Sequence, residues 1–424
     1  MVQLRHNQRH LLALFPRGIR WVAAAWALLS CCLQPTHAQQ RNVDPRYVFE
    51  DARPLNYANK YMTHLGRGPL DRVMEPISAS LSKLEEKGGP SFIAYYTQMF
   101  QNGSQGGADN WTINHELDSY AQLKVCESPR FGSGKVYAYF YHLQDNFTGT
   151  DTVMFSDALG SAWLANYGDA DGVFDSLDVL VWEQSWREGD AEFLIGQIDP
   201  GVFFDLNLFA GDDTGYFYSE PLATNPVRAF PLAGLGMMGT LELTSWLTVL
   251  GAITDADADG RYPDFSSLSD DSWLYVGELV LKPLVGGARG NYRITYYQID
   301  ATETNPRGRG VSLSFDQPVG ENRGLFFRFA QADGRRRALR KFVNAGVVRK
   351  GVIGWKDDQI GLGFVWGQPT DRSQNDQYGM ELFWRLQLTA RLQFSPDIQV
   401  IFDPSQTTAR EMAAVGGMRV RWIF

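Results

Sequence analysis

GMRVRWIF, residues 417–424, alternates without a break: Arg419 and Arg421 fall on one side of an extended chain, and Val420, Trp422 and Phe424 on the other. The mean hydropathy of the whole chain is below zero, so the apolar side is not the overflow of a greasy sequence. A soluble edge strand has little reason to keep three large apolar groups on one face to the last residue. A strand with lipid on one side and water on the other needs that pattern, and the segment reads as the last strand of a membrane barrel.

The same period runs back through the chain. In KVYAYFYHL (135–143), Val136, Ala138, Phe140 and His142 share one face, and Tyr137, Tyr139 and Tyr141 the other. In ELFWRLQL (381–388), Leu382, Trp384, Leu386 and Leu388 oppose Glu381, Phe383, Arg385 and Gln387. In RLQFSPDIQVIF (391–402), five apolar residues from Leu392 to Phe402 oppose Arg391, Gln393, Ser395, Asp397 and Gln399, with Pro396 expected at a bulge or near a strand end. Similar runs lie near 91–100, 113–126, 174–186, 190–199, 240–254, 272–282, 290–300, 309–317, 323–331, 340–350, 358–368 and 413–424, which makes fifteen. Their length of about ten residues suits a tilted crossing of a bilayer, whereas globular strands cluster near five or six. The expected fold is all-β: a closed, antiparallel transmembrane barrel, in which closure satisfies every backbone group in lipid.

Composition agrees. Of 424 residues, 13% are aromatic and 42 are glycine, suiting interfaces, turns and barrel bends. Residues 1–38 read as an export signal: Arg5, Arg9, Arg17 and Arg20 lead into WVAAAWALLSCCL (21–33), and Ala38 offers a cleavage point. LLSC, ending at Cys31, is the rival reading as a lipoprotein box. Cleavage after Ala38 leaves 35 basic against 48 acidic side chains, net −13. Such a chain is no match for nucleic acid. Cys126 is then the only thiol, which excludes an intrachain disulfide. Segment 39–90 carries Leu70, Val73, Ile77, Leu81 and Leu84 at helical spacing, as one helix or as two broken at Pro76. The barrel is expected over 91–424. Residues 203–236 have no period and many turn formers, and in a barrel they are placed to fold inward and narrow the pore.

If the alternation holds, the water-facing set includes Arg293, Arg328, Arg349, Arg385 and Arg391, with Glu381 and Asp397 as partners. A guanidinium fork can hold two vicinal hydroxyls, and Tyr137, Tyr139 and Tyr297 offer flat apolar faces to a passing solute. The plain alternative is a salt-bridged lining common to any water-filled barrel. GRRRALRKF (334–342) reads as a solvated turn or as a basic attractor for anionic solutes or lipopolysaccharide phosphates. In DADADG (255–260), Asp255, Asp257 and Asp259 alternate like half a calcium loop, but the twelfth position is Ser266. That stretch and YGDADG (167–172) read as polar turns, with calcium at most adventitious. No nucleophile elbow or phosphate loop is present, so no catalytic residue and no cofactor are assigned.

Several stretches resemble the carbohydrate-selective porins of Gram-negative outer membranes, the OprB family. They are KFVNAGVVRKGVIGWKDDQIGLGFVWGQP (341–369), ELFWRLQLTARLQFSPDIQVIFDP (381–404), LSKLEEKGGPSFIAYYTQMFQNGSQGG (81–107) and WLTVLGAITDADADG (246–260). Residues 140–240 match poorly, and the family's paired opening is reduced to HLGRGPL (64–70). The resemblance implies about sixteen strands and passive diffusion of small sugars, in a monomer or homotrimer set in outer-membrane lipid and lipopolysaccharide. The alternatives are a general or anion-preferring porin, an outer-membrane hydrolase using Ser119 or Ser133 with His115 or His142, and a soluble β-sandwich.

Overall fold

The computed structural model describes residues 63–424, except 106–108, 146–149, 167–172, 187–188, 261–268, 270, 304 and 334–335. The export signal, YGDADG and the first two residues of GRRRALRKF therefore lie outside the described residues.

Sixteen strands form one closed barrel. In chain order they are β1 (Ser91–Gly103), β2 (Trp111–Ser128), β3 (Gly132–Asp145), β4 (Val173–Trp186), β5 (Ala191–Ile198) and β6 (Gly234–Thr244). Next come β7 (Leu247–Asp255), β8 (Trp273–Leu281), β9 (Asn291–Ile299), β10 (Gly308–Val319) and β11 (Arg323–Ala332). The wall ends with β12 (Leu339–Val352), β13 (Trp355–Pro369), β14 (Gln377–Gln387), β15 (Leu392–Phe402) and β16 (Met412–Ile423). Each pairs antiparallel with its neighbour in the chain. GMRVRWIF closes the ring: Tyr95 of β1 stands opposite Ile423 of β16, and Thr97 opposite Arg421. The run 240–254 is two strands, β6 and β7, joined at 245–246. The glycines of GLGMMG (234–239) hide the start of β6 from a search for apolar alternation.

The barrel inverts the usual distribution of polarity. Ile195, Met237, Leu279, Ile294, Leu382 and Ile398 are exposed on the outside, while Thr97, Asn114, Ser314, Asn344 and Gln399 are buried inside. Aromatic residues ring both ends of this apolar band, with Trp111, Trp273, Trp366 and Tyr378 at one and Trp186, Trp246, Trp384 and Trp422 at the other. Short connections lie at the second end, the turn end, and the long connections at the first, the loop end. The two-residue turn between β12 and β13 needs left-handed backbone at Ile353 (φ 50°) and Gly354 (φ 84°).

Pro396 sits in the middle of β15, not at its end. The missing N–H is accommodated by a gap in the ladder: pairing with β14 steps from Phe383–Asp397 to Leu386–Phe394. The N-terminal helix α1 (Pro69–Glu86) is one helix that continues through Pro76. Its start is fixed by the Gly68 N–H donating to the Asp71 carboxylate (2.6 Å). It is tied to the turn end by Arg391, whose Nη2 donates to Ser78 Oγ (2.5 Å). Just before it, His64 stacks on Trp355 (4.0 Å) and contacts the Asp358 carboxylate (2.8 Å).

Candidate functional site

The connection between β5 and β6, residues 199–233, folds into the barrel and lies along the inner wall of β8–β16. It contains a 3-10 turn (Pro200–Val202) and the short helix α3 (Glu220–Ala223). Its backbone is held by wall side chains. Arg328 donates to the carbonyls of Thr224 (3.0 Å) and Asp205 (3.1 Å), and Asn344 donates to the Pro221 carbonyl (2.6 Å). The Glu381 carboxylate accepts from the Tyr218 N–H (2.6 Å), the Ser219 N–H (3.0 Å) and Ser219 Oγ (2.6 Å). The Asp205 N–H donates to Glu278 (2.7 Å), and its carboxylate accepts from Ser312 Oγ (2.6 Å).

Apolar side chains complete the seat. Phe209, Phe217, Phe326, Phe342 and Phe383 form one buried cluster between loop and wall. Wall glycines make room for it. A Cβ on Gly324 would lie 2.2 Å from the Phe209 ring, and one on Gly363 would lie 2.7 Å from Leu222. The β3–β4 connection contributes helix α2 (Thr152–Leu159) and locks onto the loop, as Leu164 N–H donates to Glu220 (3.0 Å) and Glu220 N–H donates to the Leu164 carbonyl (3.0 Å).

The tip of the loop, Asp212–Tyr216, reaches β14 and β16. Arg385 donates to the Gly215 carbonyl (3.0 Å) and to Gln359 (2.9 Å). Arg419 donates to the carbonyls of Asp213 and Tyr216, and Arg421 lies 3.7 Å from the Asp212 carboxylate. Each guanidinium also lies over a tyrosine: Arg385 over Tyr216 (5.7 Å), Arg419 over Tyr218 (4.3 Å) and Arg421 over Tyr95 (4.1 Å). Arg385 and Arg421 remain partly exposed to the lumen, with Asp212 and Asp213 beside them. Burial opposes ionisation of Asp212, but Arg421, Thr214 and Arg419 outweigh it and hold the carboxyl below its usual range. For Asp213 burial dominates, reinforced by the carboxylates of Asp212 and Asp118, and the group is pushed up to about 8. Nearby on β2 and β3, Tyr120 and Tyr139 stack face to face (4.3 Å, 5°), and Tyr139 Oη donates to Asp118 (2.7 Å).

The residues named from the sequence divide into four groups. Arg385, Glu381, Asp397, Tyr137 and Tyr139 face inward, and Arg385 is at the loop tip. Arg293 and Arg328 also face inward but are spent on protein partners, Arg293 on Asp316 (2.7 Å) and Glu278 (3.7 Å). Tyr297 is likewise covered, its hydroxyl bonded to the loop at Ala229 and Val227. Arg391 is buried under α1 at the turn end, donating to the Ile423 carbonyl (3.2 Å). Arg349 is a correction: it is exposed on the outer face, in one row with Arg323 and Ile360. The β12 face alternates Phe342, Asn344, Gly346 and Val348 inward, so Arg349 takes the lipid side near the turn and reaches toward the interface. Arg419, Arg421, Asp212 and Asp213 were missing from the candidate set, although the first two lie in GMRVRWIF.

Asp255 is buried and its carboxylate accepts the Asp257 N–H (2.9 Å), closing a local turn. Among the described residues no group of three or more His, Cys, Asp or Glu is placed to hold a metal ion.

Residues 300–424 match the family described as carbohydrate-selective porin, OprB family. The fold is similar to a high-pH structure of OprB from Pseudomonas putida, at 16% identity, a TM-score of 0.67, and coverage of 85% of this chain and 99% of that one. It is similar also to the low-pH structure of the same protein, at 16% identity, a TM-score of 0.53, and coverage of 82% and 96%. No curated protein matches the chain. The chain is a closed sixteen-stranded β-barrel of porin fold, and its part from β10 to β16 matches the carbohydrate-selective porin, OprB family.

Proposed function

We propose that the chain is a channel for passive diffusion of small carbohydrates across the outer membrane. The observation that carries this reading is the constriction itself. Two partly exposed guanidiniums, Arg385 and Arg421, are held rigid over tyrosine rings beside Asp212, within reach of a β2–β3 wall that bears the flat Tyr120–Tyr139 pair. Fixed forks of donors replace water on hydroxyls, the aromatic faces take the C–H side of a ring, and both contacts are weak enough for release. No cofactor and no covalent step are needed. The family match points to the same solutes.

A general anion-preferring pore is the second reading, favoured by the cluster of Arg385, Arg419 and Arg421. It is opposed by the Asp212 carboxylate, which Arg421 holds ionised at the same opening. Ion current through single channels in planar bilayers separates the two. On the carbohydrate reading, millimolar to molar neutral sugar lowers the current in a saturable way, and replacing Arg385 and Arg421 by glutamine removes the saturation. Current insensitive to sugar but strongly selective for chloride over potassium supports the anion pore.

A further inference from the structure

We propose that the outer face of the barrel at the loop ends of β9–β12 is a docking site for a phosphorylated glycolipid of the outer leaflet. The charge of the chain isolates this spot. The connections β9–β10 and β11–β12, taken with their flanking strand ends, hold seven cations (Arg307, Arg309, Arg335–Arg337, Arg340 and Lys341) against Asp300, Glu303 and Asp333. Every other connection at the loop end, counted in the same way, carries more carboxylates than cations.

The cations do not act as one turn. Arg336 donates to the carbonyls of Pro306 (2.6 Å) and Asp300 (2.7 Å), and Arg337 to that of Arg228 (3.0 Å), so these two knit the loops together. Arg309 and Lys341 instead occupy outward positions of β10 and β12, and neither has an ion pair among the described residues. Arg307 is exposed, and its nearest carboxylate, Asp300, is 3.8 Å away. Arg307 and Arg309 border a cleft of about 240 Å³ with Gln298, Gly308 and Asp333. Gln298 stands directly opposite Arg309.

A free anion would meet the charge, but the wall beneath it selects a lipid. Moving toward the membrane along the same outward rows, Tyr296 faces Val311 and both are exposed. Phosphate oxygens at the two arginine forks would therefore set acyl chains along Tyr296, Val311 and Ile294. Because the site is outside the barrel, it does not depend on the solute that passes within.

The test uses the full chain refolded in detergent, titrated with bisphosphorylated lipid A and with the same lipid dephosphorylated, and followed by native mass spectrometry. The phosphorylated lipid is expected to bind more tightly, and the triple variant R307Q/R309Q/K341Q to weaken it by about a hundredfold at low salt, with heat-modifiable migration unchanged. Equal binding of the two lipids by the unaltered chain overturns the proposal without any variant. So does wild-type affinity in a folded triple variant. Displacement of the lipid by millimolar inorganic phosphate overturns it too, since the site then takes a free anion.

Discussion

Glu381 and Ser219 lie 162 positions apart and meet inside the barrel, where the carboxylate accepts both the Ser219 N–H (3.0 Å) and its Oγ–H (2.6 Å). With the Tyr218 N–H as a third donor, one wall carboxylate fixes the loop that narrows the pore. Glu381→Ala removes an acceptor of charge-assisted bonds and strands three buried donors, at a cost of roughly 2–4 kcal/mol. The loop loosens while the barrel wall stays intact. Single-channel conductance is expected to rise and become noisy, and the heat needed to convert the folded to the unfolded gel band to fall. Unchanged conductance contradicts the assigned anchor.

Gly324 tests the same loop from the wall side. A side chain there collides with Phe209, so Gly324→Val forces the loop off β11 at a cost of about 1–3 kcal/mol from overpacking. Conductance is again expected to increase. The double variant G324V/F209A restores both room and wild-type conductance if the contact is the cause.

Asp213 makes the constriction sensitive to pH. With its carboxyl pushed up to about 8, it is neutral below that pH and adds a negative charge beside Arg419 and Arg421 above it. Cation permeability relative to anion permeability is expected to rise as pH passes upward through about 8, read from reversal potentials in a salt gradient. Asp213→Asn should flatten the transition. Asp212, held ionised below its usual range by Arg421, should contribute no step in this window.

The wall was largely legible in the sequence because a two-sided strand in lipid must alternate, and GMRVRWIF does so to its end. The pattern failed where glycine replaced the apolar positions, in the first half of β6. Parity also assigned a face to most charged residues, though it put Arg349 on the wrong one because Phe342, Gly346 and Val348 leave Asn344 the one polar residue among these inner positions of β12. The site was harder to read. Alternation shows that Arg293, Arg328 and Arg385 point inward, but not that wall carboxylates consume the donors of Arg293, or that a loop more than a hundred residues earlier in the chain consumes those of Arg328. The inward fold of 203–236 was suggested by its lack of period. Asp212 and Asp213 became visible only once the fold brought them to β16.

On the proposed function, the arginine–tyrosine constriction favours sugars over other solutes of equal size. Swelling of liposomes that contain the refolded protein, driven in turn by glucose and by uncharged amino acids of matched size, tests it most directly. Faster swelling with glucose is expected, with loss of that preference in R385Q/R421Q while the barrel stays folded. Swelling ordered by solute size alone, identical in the variant, would contradict it.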